Sequence, residues 1–169
     1  MQTTQPPPEP NATPDSVRYY WEDLTVGSTQ ELGTVQTTLD EIKAFATQFD
    51  PQPFHLDEAA ASQSLFGGLC ASGWHTCAMG MRLMVDNFLN QAASLGSPGL
   101  DSLKWLKPVF PGDILTMRQT ILESRALKSR PDVGLVRTQW EMLNQHGDKV
   151  LHIEANAMFR RRESAPPMD

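Results

Sequence analysis

An α+β chain, with an antiparallel sheet wrapped around one long helix, is predicted by three observations. Across residues 69–89 only Arg82, Asp86 and Asn87 carry a charge or an amide. A helix apolar round most of its circumference has to be covered on most sides. Residues 133–143 and 149–160 alternate apolar and polar side chains, as strands with one buried face do. The stretch Asn144-Gln145-His146-Gly147-Asp148 between them reads as a hairpin turn.

The elements follow in order. Residues 1–14 hold five prolines and one charge, too little apolar surface to repay ordering, so residues 1–16 are expected to form a disordered arm. The body is one domain over residues 17–160, followed by a flexible tail, 161–169. Residues 23–38, with Gly27, Gly33 and many β-branched positions, suit one or two short strands. Thr38 and Glu41 form a capping box. Ile42, Phe45, Ala46 and Phe49 then recur on one helical face, and Pro51 and Pro53 stop that helix. A short helix from Asp57, its N-cap, to about Ser64 comes next, then the apolar helix near 71–89. Strands at 100–107 and 113–124, separated by Pro108 and Pro111-Gly112, precede the two alternating ones. In those, Val136, Thr138, Trp140 and Met142 face inward, as do Leu151, Ile153, Ala155, Ala157 and Phe159.

Composition narrows the function classes. The 169 residues are 40% hydrophobic and 20% charged, a globular balance, and a domain of this length buries roughly 70% of its unfolded surface without disulfides or metal. With 14 basic and 20 acidic residues the net charge is −6, which argues against a nucleic-acid binder. No apolar stretch is long enough to cross a bilayer, and the N-terminus lacks the pattern of a signal peptide. Cys70 and Cys77 lie in the apolar segment with no basic neighbours, as packing residues in a reducing compartment. A cytoplasmic location is the expectation. His55, His75, His146 and His152 fall on different elements without ligand spacing, so no metal site is expected.

Two segments carry chemistry. In Asp50-Pro51-Gln52-Pro53-Phe54-His55 the prolines stiffen the step between a carboxylate and an imidazole. Such a pair can share a water, with the Asp accepting its proton and the His orienting the water or returning a proton. A turn-capping Asp beside a surface His is the plain alternative. In residues 66–75, FGGLCASGWH, small residues let a ligand approach the backbone, and the helix N-terminus offers N–H groups to an oxyanion. The plain alternative there is a tight loop that needs glycine.

Taken together, DPQPFH (50–55), the following HLDEAAA, FGGLCASGWH (66–75) and KPVFPGD (107–113) resemble the MaoC-like branch of the hotdog fold, which includes the (R)-specific enoyl-CoA hydratases. The likeness covers about residues 19–160. In that family D-x-N-P-x-H supplies a catalytic Asp and His, and an (H/S)-G pair at the helix start supplies a backbone oxyanion donor; those positions fall on Asp50, His55 and Gly73. The family's Asn is Gln52 here, the His frequent before the glycine is Ser72, and a serine of some relatives falls near Met81.

The resemblance implies reversible syn addition of water to a trans-2-enoyl-CoA, giving an (R)-3-hydroxyacyl-CoA in fatty acid metabolism. It implies no cofactor beyond the coenzyme A thioester itself and a homodimer, or a dimer of dimers. Gln52, Ser72, Phe66, Gly67 and Trp74 are the expected substrate-binding residues, Trp74 being more readily a core residue. Arg125, Lys128, Arg130 and Arg160 to Arg162 are candidates for the CoA phosphates. A hotdog thioesterase and a non-catalytic acyl-thioester-binding subunit are the alternatives.

Overall fold

The computed structural model describes residues 17–162; the expected arm, 1–16, and residues 163–169 of the expected tail lie outside the described residues. Nine elements follow: β1 (Thr29–Gln36), α1 (Leu39–Phe49), α2 (Pro53–Leu56), α3 (Glu58–Ser62), α4 (Gly73–Asn87), β2 (Ser94–Trp105), β3 (Ile114–Leu127), β4 (Arg130–Leu143) and β5 (Lys149–Arg160). Every strand pairing is antiparallel, in the order β1-β3-β4-β5-β2. The sheet curls round α4, which is the hotdog arrangement. Among the described residues no helix is long and apolar enough to cross a membrane.

Local chemistry sets the elements. Thr38 caps α1: its hydroxyl accepts from the Glu41 N–H at 3.3 Å and donates to the Glu41 carboxylate at 2.6 Å. Asp57 caps α3 by accepting from the Ala60 N–H at 2.7 Å. The β4–β5 hairpin closes where expected, with the Asn144 N–H donating to the Asp148 carbonyl at 2.9 Å. All nine inward positions read from the alternation of β4 and β5 are buried. Gly80 lets α4 approach the sheet: a Cβ there would meet Met142 Sδ at 3.0 Å and Met117 Sδ at 3.6 Å.

Three expectations need correction. Ile42 and Ala46 are fully buried, but Phe49, at the end of α1, is 64% exposed because no element among the described residues covers it there. The second concerns α4, which buries His75, Thr76, Met79, Gly80 and Met84 and leaves Trp74, Ala78 and Met81 in an exposed row at helical spacing. The sheet therefore covers less of the helix than its apolar sequence predicts. Third, the body runs past residue 160: Arg161 and Arg162 pair with Glu22 and Asp23 at 3.4 and 2.6 Å, and each guanidinium lies about 5 Å over an aromatic ring, Trp21 and Tyr20 respectively.

Candidate active site

The break between α1 and α2 places the first reactive group. Asp50 is the C-cap of α1, its N–H donating to the Ala46 carbonyl at 2.9 Å. Pro51 prevents continuation of α1, and Pro53 begins α2 at N1, where its missing N–H costs nothing. One short turn later His55 points inward, 5% exposed. Its Nε2 lies 3.4 Å from Asp50 Oδ2.

The other ring nitrogen fixes the tautomer. His55 Nδ1 lies 2.6 Å from the Cys70 carbonyl, which can only accept, so Nδ1 carries the proton. In the neutral ring Nε2 is then an acceptor, and it faces a second acceptor, Asp50 Oδ2. Two acceptors so placed are satisfied by one molecule with two O–H donors.

Asp50 is held by both oxygens. Gln52 Nε2 donates to Oδ1 at 2.7 Å, and the Ser72 hydroxyl donates to Oδ2 at 2.6 Å. Burial works to raise the pKa of this carboxyl, but the Ser72 and Gln52 bonds and the nearby His55 outweigh it, leaving it below the ordinary aspartate value. Ser72 also caps α4, accepting from the Trp74 N–H at 3.3 Å. The Gly73 N–H, in the first turn of α4, makes no hydrogen bond among the described residues.

These groups line a cavity of about 450 Å³, together with Phe54, Trp105, Leu106 and Val109. Asp50, His55, Gln52, Ser72, Gly73, Phe66 and Trp74 all reach it. Gly67 does not: its φ of +70° serves the turn after α3, and a Cβ there would meet nothing within 4 Å. Gln52 and Ser72 are spent on Asp50. Trp74 is no core residue, being 58% exposed and packed edge-on against Trp105 at 5.2 Å.

The cysteines also differ from expectation. Cys70 is buried with its thiol pushed up to about 11 by that burial, as a packing residue should be, yet it lines the cavity and its carbonyl orients His55. Cys77 is only half-buried. His75 stays out of the cavity and stacks on Phe45 at 4.8 Å.

Trp105 escaped the sequence reading. A Cβ on Gly73 would lie 2.5 Å from its indole, so this glycine is required by a ring 32 residues away. Lys107 escaped too; among the described residues it is the one lysine or arginine lining the cavity, and it pairs with Asp148 at 2.8 Å. The cations expected for phosphates sit elsewhere. Arg160 pairs with Val133, whereas Leu151 pairs with Trp105 at the cavity, so nine residues of β5, about 30 Å, separate them. Arg130 is moreover bound to Asp132 at 2.9 Å.

Comparison with known proteins gives a consistent picture. The crystal structure of a MaoC-like dehydratase from Rhodospirillum rubrum is 45% identical and superposes with a TM-score of 0.81 over 86% of this chain and 99% of that one. An unliganded R-hydratase from Pseudomonas aeruginosa is 25% identical, with a TM-score of 0.68 over 89% and 95% of the two chains. Mesaconyl-CoA hydratase of Cereibacter sphaeroides is 39% identical over 83 residues, which are 48% of this chain and 23% of that enzyme. With residues 24–140 matching the MaoC like domain, the chain belongs to that family.

Proposed function

We propose that the protein is an acyl-CoA hydratase or dehydratase that adds water reversibly to a trans-2-enoyl-CoA to give an (R)-3-hydroxyacyl-CoA. The observation that carries the reading is the pair of acceptors, Asp50 Oδ2 and His55 Nε2, 3.4 Å apart beside the N-terminus of α4. A water donates one hydrogen to each. Asp50 takes its proton as the water oxygen bonds to Cβ, and the electron pair of the double bond moves to Cα and the thioester carbonyl. The Gly73 N–H donates to the carbonyl oxygen as negative charge builds on it. The proton then passes from Asp50 to Cα, so the elements of water add to one face. With Nδ1 of His55 held by the Cys70 carbonyl, Nε2 is the ring nitrogen that faces the water and orients it.

The reading routes no step through a metal or redox cofactor. A homodimer fits it: among the described residues the outer edge of β2 is unpaired, and Leu100, Trp105 and Leu106 on and after it are about half exposed, as are Trp74 and Met81 of α4. Open sheet edges and apolar patches are templates for a second copy.

The test is incubation with crotonyl-CoA and, because one relative is a mesaconyl-CoA hydratase, with mesaconyl-CoA. Loss of the enoyl absorbance without release of free thiol is the expected result. Thiol release identifies a thioesterase, and neither signal identifies an acyl-binding subunit.

A further inference from the structure

We propose that Ser72 and Gln52 are positioning residues that clamp one oxygen of Asp50 each, and that Ser72 links this carboxylate to the N-terminus of α4. Four contacts carry the inference. Gln52 Nε2 reaches Oδ1 at 2.7 Å and Ser72 Oγ reaches Oδ2 at 2.6 Å. The same Oγ accepts the Trp74 N–H, and the Ser72 carbonyl accepts the Thr76 N–H at 3.1 Å.

The serine is therefore a relay, not only a cap. Its hydroxyl has one hydrogen, and that hydrogen goes to Asp50. Its lone pair meets an N–H at the positive end of a fifteen-residue helix. An N–H drawing on Oγ makes the O–H a stronger donor, so helix and carboxylate reinforce one another. Ser72 is 1% exposed, so water does not compete for these bonds. Gln52 does the corresponding work from the solvent side. Its side chain, one methylene longer than asparagine, folds back two residues to Oδ1.

The clamp also sorts the two oxygens. With Oδ1 tied to Gln52, the oxygen facing His55 Nε2 is Oδ2. The titratable groups around this carboxylate are His55, the Cys70 thiol behind that ring and Lys107 on the cavity wall. Among the described residues, Ser72, Gln52 and His55 make its polar contacts. The inference deepens the hydratase reading and rests on it for its catalytic consequence.

The experiment separates the two. Protein labelled with 13C at aspartate Cγ is titrated by NMR, with the Asp50 signal identified by its loss in Asp50→Asn. Ser72→Ala and Gln52→Ala are each expected to move the Asp50 titration to higher pH, their combination furthest, and Ser72→Thr to return it toward wild type. In crotonyl-CoA hydration the acid limb of kcat/KM is expected to move the same way. Loss of a hydrogen bond to a charged group should lower kcat about tenfold to a hundredfold, with a much smaller change in KM. A purely capping Ser72 would weaken α4 and leave both pH readouts in place. Gln52 is exposed and packs against no core, so Gln52→Ala decides the matter even if Ser72→Ala fails to fold. An Asp50 titration unchanged in Gln52→Ala overturns the proposal. If the titrations move but no thioester is hydrated, the clamp stands and the hydratase reading falls.

Discussion

Segments 49–57 and 65–74 meet at one cavity, yet they are held in place by different means. The first is stiffened by its own covalent structure, with Pro51 and Pro53 bracketing the step from Asp50 to His55. The second is held by what packs on it: Trp105 on Gly73, Phe110 at 3.6 Å from a Cβ on Gly68, and Asp50 on Ser72. The difference teaches where each kind of residue can change. On the proposed reading the proline-framed segment presents the reacting groups, so substitution there should cost more activity than stability. The packed segment answers in both.

The largest expected effect comes from breaking the first segment at its reacting atom. Asp50→Asn keeps the shape of the side chain and removes the proposed base, so crotonyl-CoA hydration should fall roughly 10²- to 10⁴-fold. Thermal stability should fall modestly as well, since the carboxylate is held by Ser72, Gln52 and His55 with only a fifth of its side chain in solvent. Full hydration activity in this variant would dismiss Asp50 as the base.

Two glycines of the second segment sharpen the contrast. Gly73→Ala places a methyl 2.5 Å from the Trp105 ring and should cost about 1–3 kcal/mol of stability through overpacking. It should also change the tryptophan fluorescence and lower kcat/KM, because the displaced ring lines the cavity. Gly67→Ala meets nothing within 4 Å but has to adopt a φ of +70°. Its cost should be about 1 kcal/mol, from backbone strain alone, with kcat/KM unchanged. Equal kinetic effects in the two variants would show that the Trp105 contact is not what sets Gly73 apart.

How much of this was legible depends on whether a residue's partner lies nearby in sequence. The alternation of β4 and β5, the Thr38–Glu41 cap and the stop at Pro51 are local patterns, and each appears where the sequence puts it. Asp50 and His55 are five residues apart, so their meeting was legible too. Trp105 was not, because its contact with Gly73 closes only when the end of β2 meets the first turn of α4. The role of Cys70 was hidden for another reason: its main-chain carbonyl orients His55, and a carbonyl has no residue signature. The exposed row on α4 could not be told from its buried one, since an apolar face reads alike whether its cover is the chain's own sheet or a second copy.

That ambiguity gives the next expected outcome. Met81 is 46% exposed in the outer row, so Met81→Glu should leave the monomer fold nearly as stable and disfavour a homodimer. Sedimentation velocity of both proteins is the measurement. An assembly unaffected by a charge at this position would place the interface elsewhere, leaving the β2 edge as the candidate.

The smallest effect sharpens the comparison from the inner face of α4. His75 is 8% exposed, stacks on Phe45 and leaves Nδ1 without a hydrogen-bond partner among the described residues. Burial holds its pKa below the ordinary imidazole value of 6.5, against the pull of Glu41. The native state then binds fewer protons than the unfolded chain in the window just below 6.5. Its contribution to stability is complete above that pH and declines as pH falls toward the lowered native value. His75→Phe keeps a ring against Phe45 and removes both the unpaired nitrogen and the titration. Its Tm should match or exceed wild type by a few degrees at neutral pH, about 1 kcal/mol, with the gap widening as the pH is lowered through 6. A gap that stayed constant between neutral pH and 5 would mean that His75 titrates alike folded and unfolded. Hydration kinetics should not follow this change, because the imidazole that serves the cavity belongs to the proline-framed segment.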